Sequence, residues 1–391
     1  MALPTITPVS KLVSLLSDKF QSLNLNIVDN ILFHLGIADI YALHATSRSL
    51  RWLVGYMTDS PSLLNVNKQL RLFVKDPLRF RSELGRTDGL IAGDFVCNFF
   101  EYGTYKDFNH LHVYVDKGGK WLAFITYLLN VEGYRYQSEL EPYCFERQIG
   151  TNVCIITVKR TDGPPIIDII NTATTTLDLN IISWNKAYSL LPRLNIAHHK
   201  FYPLKTLNNE VGQVLHRRYK WGWTTRDLLW PDLTQEFLPA NGCRQVGGKY
   251  TLAINLGGLP REYFTPDHDY VLEGAVYSLV HQMNSRGRPL SASIQPMKKS
   301  IGLKYVHTNG ASGLHYKDWE EFFEDRLNRW VYVEIAKTHR LHNRPPSFVF
   351  LEPGNFRVNI PPNYEPPRDD WDYADDQVIL WFREWERNHK H

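Results

Sequence analysis

Two histidines separated by one residue, His110 and His112 in HLHVYVD (110–116), have the spacing in this chain most suited to shared chemistry. The segment alternates like a strand, and alternate strand residues share a face, so both imidazoles point the same way. Two imidazoles on one face can ligate a metal, or they can titrate unliganded in a cleft. A second candidate is HRRYKWGW (216–223), which interleaves basic and aromatic residues. That composition could stack a base and hold a phosphate, and it also suits a helix end packed by its tryptophans. The acidic run Asp369, Asp370, Asp372, Asp375 and Asp376 reads as a solvated stretch before a helix, with weak calcium binding as its functional counterpart. KYTLAINLGGLPREY holds a Gly-Gly turn but no phosphate loop, and no GxSxG occurs, so His198-His199 reads as surface as readily as relay. Cys97, Cys144, Cys154 and Cys243 lack CxxC spacing and read as buried thiols.

The elements that must carry these residues change character along the chain. At 391 residues, with 43% hydrophobic and 22% charged composition, the chain is expected to fold into two or three units. A net charge of +3, from 44 basic and 41 acidic residues, gives no strong nucleic-acid signal. No apolar run reaches membrane-spanning length and the N-terminus lacks a leader pattern, so the expectation is an intracellular protein, cytoplasmic or nuclear. Residues 10–55 carry helical periodicity. NKQLRLFVKDPLRF (67–80) is a helix broken at Asp76-Pro77, because proline disfavours helical geometry in the residue before it. LIAGDFVCNFF (90–100) starts as a strand, turns at Gly93 and continues as a helix. KWLAFITYLLNVEGYRYQ (120–137) reads as a helix ending near Gly133. CIITVKR (154–160) and IIDIINT (166–172) read as two strands, and LNIISWNKAYSLLP (179–192) as an extended start turning helical. Further on, 249–256 and 270–283 suggest strands and 319–341 a long amphipathic helix. A Pro- and acid-rich linker (361–376) precedes a final helix carrying Trp381 and Trp385. The fold class expected is α+β, a mixed sheet with flanking helices.

Nucleotidyltransferases of the polymerase-beta type use a Gly-Ser turn opening a helix, two carboxylates at i and i+2 on the next strand, and a third on a neighbouring strand. The carboxylates hold divalent metals that organise a triphosphate for in-line attack. Residues 65–192 resemble the F-box-associated nucleotidyltransferase-like proteins of filamentous fungi. The resemblance rests on NKQLRLFVKDPLRFR, on LIAGDFVCNFFEYGTY in place of a form such as ISGSxALQFFDRxxY, on HLHVYV in place of DLDLYV, and on ISWNKAYSLLP. Carried over, Gly93 is the glycine of the nucleotide-binding turn, Asp94 replaces its small hydroxyl residue, His110 and His112 take the two acid positions, and Asp168 is the third acid. Magnesium demands oxygen ligands, so ordinary nucleotidyl transfer is disfavoured. The metal alternative is a site of His110, His112 and Asp168, for which zinc or another transition metal fits better than magnesium.

The spacing of LNLNIVDNILFHLGIADIYALHATSRSLRWLV also resembles the F-box. Leu23, Ile27, Ile31, Leu32, Leu35, Asp39, Ile40, Ser47, Arg48 and Arg51 fit, while Asn24 and Asn26 stand where Pro and Glu are usual. This implies a Skp-type adaptor as a partner through residues 23–54, an apolar helical face being what such an adaptor engages. The expected organisation is an F-box-like segment at 1–60, a nucleotidyltransferase-like domain at 61–235 and an unassigned α+β region at 236–391. The expected function is a catalytically degenerate nucleotidyltransferase-like protein acting in recognition or as an adaptor. The alternatives are an active metal-dependent nucleotidyltransferase, using Asp168 with Asp94, Asp107 or Asp116, and an F-box substrate adaptor of a ubiquitin ligase.

Overall fold

A computed structural model describes residues 25–60, 63–105, 109–138, 142–150, 152–225, 241–264, 270–281, 290–311, 315–338, 344–345, 348, 364–366 and 371–389. The class is α+β, a mixed sheet flanked by helices. Three helices open the described chain: α1 (Leu25–Phe33), α2 (Ile37–Thr46) and α3 (Trp52–Asp59). The short α4 (Val66–Leu70) and α5 (Pro77–Thr87) follow, and α5 begins where the sequence predicts a break. Asp76 caps it, accepting from the Leu78 and Arg79 amides at 3.0 and 3.1 Å, and Pro77 takes the first helical position, where its missing N–H costs nothing. The F-box-like residues pack on the sheet: Leu32, Ile40 and Leu50 are fully buried in the same core as Leu111 and Val113. Residues 10–24, including Leu23 and Asn24, lie outside the described residues.

The main sheet is built from β1 (Leu90–Ala92), β2 (His110–Asp116), β3 (Arg135–Ser138), β4 (Tyr143–Ile149), β5 (Asn152–Thr161), β6 (Asn180–Ile182), β7 (Lys186–Ser189) and β9 (Leu252–Asn255). Its order is β3-β4-β5-β2-β1-β6-β7-β9, with β2 and β5 parallel and the other pairs antiparallel. On β2 the alternation is clean. Leu111, Val113 and Val115 are fully buried on one face, while His110, His112 and Tyr114 look the other way and are partly exposed. The core on the first face is closed by α5 and by α7 (Gly119–Tyr127), whose last turn widens into a π-helical stretch that stops at left-handed Gly133. A buried carboxylate fastens that corner: Glu132 accepts from the Lys75 amide at 2.6 Å, the Tyr127 hydroxyl at 2.6 Å and the Arg147 guanidinium at 3.0 Å.

Two expectations are corrected. IIDIINT is not a strand but helix α8 (Pro165–Thr172), and Ile166, Ile169 and Ile170 bury one face at helical spacing. Residues 186–189 do not continue as a helix but return as β7, through a turn in which the Lys186 amide donates to the Ser183 hydroxyl at 3.2 Å. The expected boundary near residue 235 lies outside the described residues, and β9, from beyond it, is the outermost strand of the main sheet. Arg81, 1% exposed, joins the same regions by donating to the Trp184 and Gly257 carbonyls, each at 2.7 Å. The C-terminal region adds a second sheet, β11-β10-β8, from β8 (Gly242–Gln245), β10 (Val276–His281) and β11 (Leu290–Ser293). Its neighbouring core is aromatic, formed by the expected long helix, here His315–Lys337, and the closing helix Gln377–Asn388 around Trp319, Phe382 and Trp385.

Candidate functional site

A cleft of about 350 Å³ opens on the face of the sheet that carries the two histidines. Its floor is the end of β1, the turn after it and β2; its walls are α8, the stretch 173–178 and helix α9 (Asn209–Lys220) with Trp221 beyond it. The turn works because Gly93 holds φ 82°, and a Cβ there would stand 3.3 Å from the His112 ring. Asp94 then opens α6 (Asp94–Phe100). The rings of His110 and His112 stack, with centroids 4.9 Å apart and planes at 17°. His110 Nε2 lies 2.9 Å from the Thr157 hydroxyl, on the strand parallel to β2. Burial pulls the His110 pKa below its ordinary value, and burial followed by the neighbouring His110 pulls that of His112 down to about 4. At neutral pH both rings are uncharged.

The charges of the cleft belong to other residues. Arg218, 1% exposed, places one nitrogen 2.7 Å from Asp94 and the other 3.1 Å from Asp178. Arg217 lies 3.3 Å from the second oxygen of Asp94. Asp178 also accepts from the Thr174 and Thr175 amides at 3.0 and 2.8 Å. Burial opposes the charge of Arg218, but the Asp94 and Asp178 carboxylates offset it and its pKa is raised. Its guanidinium lies 5.3 Å above the ring of Trp221, and Trp221 stacks on Tyr105 at 4.6 Å and 11°. Two acids are thus matched by two guanidiniums.

Of the residues singled out from sequence, Gly93, Asp94, His110 and His112 come together at the cleft. Asp168 does not join them. It lies on a helix, 2.9 Å from Lys159, and is not among the lining residues. The set His110, His112 and Asp168 is therefore not assembled, and among the described residues no group of three His, Cys, Asp or Glu side chains stands where it could hold a metal ion. Asp116, at the far end of β2, does not line the cleft either, and Asp107 lies outside the described residues. On the strand beside His112 the position on its face belongs to Thr157. Asp178 and Thr157 were not singled out from sequence, whereas Arg217, Arg218 and Trp221 sit in the basic and aromatic stretch 216–223, at the helix end expected for it. Comparison of the chain with protein-family models, with curated proteins and with solved structures found no match. Among the described residues, no helix is long and apolar enough to cross a membrane.

Proposed function

We propose that the chain is a catalytically degenerate nucleotidyltransferase-like protein whose cleft recognises a ligand instead of transferring a nucleotidyl group. The observation that carries this reading is the pairing of Asp94 and Asp178 with Arg217 and Arg218, the acids and guanidiniums lining the cleft. A magnesium ion needs several oxygen ligands at close to octahedral geometry. Here each lining carboxylate already has a cation, and the pair of side chains at alternate strand positions is imidazole. The uncharged histidines and the paired charges suit a polar ligand bound by hydrogen bonds.

Titration with each nucleoside triphosphate, with and without magnesium, manganese or zinc, tests this reading. The expected result is no release of pyrophosphate under any condition. Metal-dependent pyrophosphate release that disappears in His112→Ala or Asp94→Ala would restore the active-enzyme reading. A second reading, as an F-box substrate adaptor, draws support from Ile27 and Phe33, which are 48% and 43% exposed on α1. Pull-down of a Skp-type adaptor by the full chain, lost in Ile27→Asp/Phe33→Asp, would support it, and the absence of such a complex would remove it.

A further inference from the structure

A second groove, of about 770 Å³, lies between the segment that follows β8 and the C-terminal helix, here named α10 (Gln377–Asn388). At its base is Gln245, 2% exposed, whose side-chain oxygen and nitrogen both lack a hydrogen-bond partner. A buried carboxamide without partners is costly, so such an amide in a groove wall is a natural place for a ligand to bond. The amide presents an acceptor and donors side by side. That pattern pairs with the N6 and N7 edge of adenine.

The rest of the lining supplies what a nucleotide needs beyond its base edge. Arg383 and Arg387 stand four residues apart on one exposed side of α10 and both line the groove. The groove's carboxylates already have cations: Glu386 pairs with Lys249, also of the groove, at 3.1 Å, and Glu384 with Arg326. Among the described residues neither Arg383 nor Arg387 has a carboxylate partner, so both guanidiniums can receive a phosphate. We propose that this groove binds an adenine mononucleotide, with the base edge on Gln245 and the phosphate on Arg383 and Arg387. The site is separate from the histidine cleft and does not depend on how that cleft is read.

Calorimetric titration of the full chain with adenosine monophosphate, adenosine and inorganic phosphate tests it. The expected result is that the monophosphate binds to wild type, at least tenfold more weakly to Gln245→Leu, and at least tenfold more weakly to Arg383→Ala/Arg387→Ala. Adenosine should be weakened only by Gln245→Leu. The arginines are exposed, so that double variant folds whatever happens at the buried position. Gln245→Leu should melt no lower than wild type, since it removes an unpartnered amide. No binding by wild type, or phosphate binding as tightly as the monophosphate, overturns the proposal. The same titration on His112→Ala separates the two sites. Loss of binding there, with the groove variants unaffected, places the nucleotide in the first cleft and sinks this inference alone.

Discussion

Replacing Arg218 by methionine removes the guanidinium that ties two walls of the cleft together while keeping most of its stem. In the native protein that guanidinium is 1% exposed and reaches Asp94 at 2.7 Å and Asp178 at 3.1 Å. Removing one member of a buried ion pair costs about 3–5 kcal/mol, because the partner is left desolvated without its counter-charge. The two carboxylates retain 17% and 21% exposure, and Asp178 keeps its two backbone donors, so the lower end, about 3 kcal/mol, applies. For a urea slope of about 3 kcal/mol/M, the unfolding midpoint falls by about 1 M. Urea unfolding followed by tryptophan fluorescence reads this directly, since Trp221 lines the cleft and Trp223 is buried beside it. Adding Asp94→Ala to Arg218→Met should cost less than the sum of the two single changes. A midpoint within about 0.3 M of wild type at unchanged slope, or strict additivity, would refute the claim that these charges are spent on each other.

Three further outcomes follow from the same geometry. Because burial holds His112 near pKa 4 against an unfolded value of 6.5, the unfolded chain binds the extra proton first; stability is full above pH 6.5 and falls towards pH 4, by about 3 kcal/mol from this residue. His112→Asn should flatten that slope, and an NMR titration placing the His112 midpoint near 6.5 would contradict it. Glu132→Gln, which weakens the charge-assisted bonds to Lys75, Tyr127 and Arg147, should lower stability by about 2–3 kcal/mol in thermal or urea melts, and a loss below about 0.5 kcal/mol would show that the buried carboxylate is not needed. Asp168→Ala breaks a partly exposed pair with Lys159, so it should cost under about 1 kcal/mol and leave ligand binding at the cleft unchanged; a loss of binding would return Asp168 to the site.

What could be read from the sequence was local. Strand alternation puts His110 and His112 on one face by geometry alone, and Gly93 marks a turn that only a left-handed residue can make. What could not be read was what tertiary packing brings against that face. Arg218 and Asp178 come from a helix and a short turn that no spacing rule links to β2. The expected strand at 166–172 is a helix for an identifiable reason. Ile166, Ile169 and Ile170 already stand at helical spacing after a proline pair, yet a run of β-branched residues favours a strand when weighed by composition. At 183–186 the turn is made by the Ser183 hydroxyl, a signal weaker than glycine or proline, so the spacing does not announce the return strand.

The position of β9 at the rim of the main sheet has a consequence for how the protein is made. The ribosome finishes β7 about 60 residues before it reaches β9. At about 5–20 residues per second, the growing polypeptide carries β7 with an unpaired rim for roughly 3–12 s. Any copy released early keeps that rim open for good, and open strand rims recruit one another. Nonsense changes between residues 190 and 251 should therefore yield aggregates, however well the earlier portion has formed.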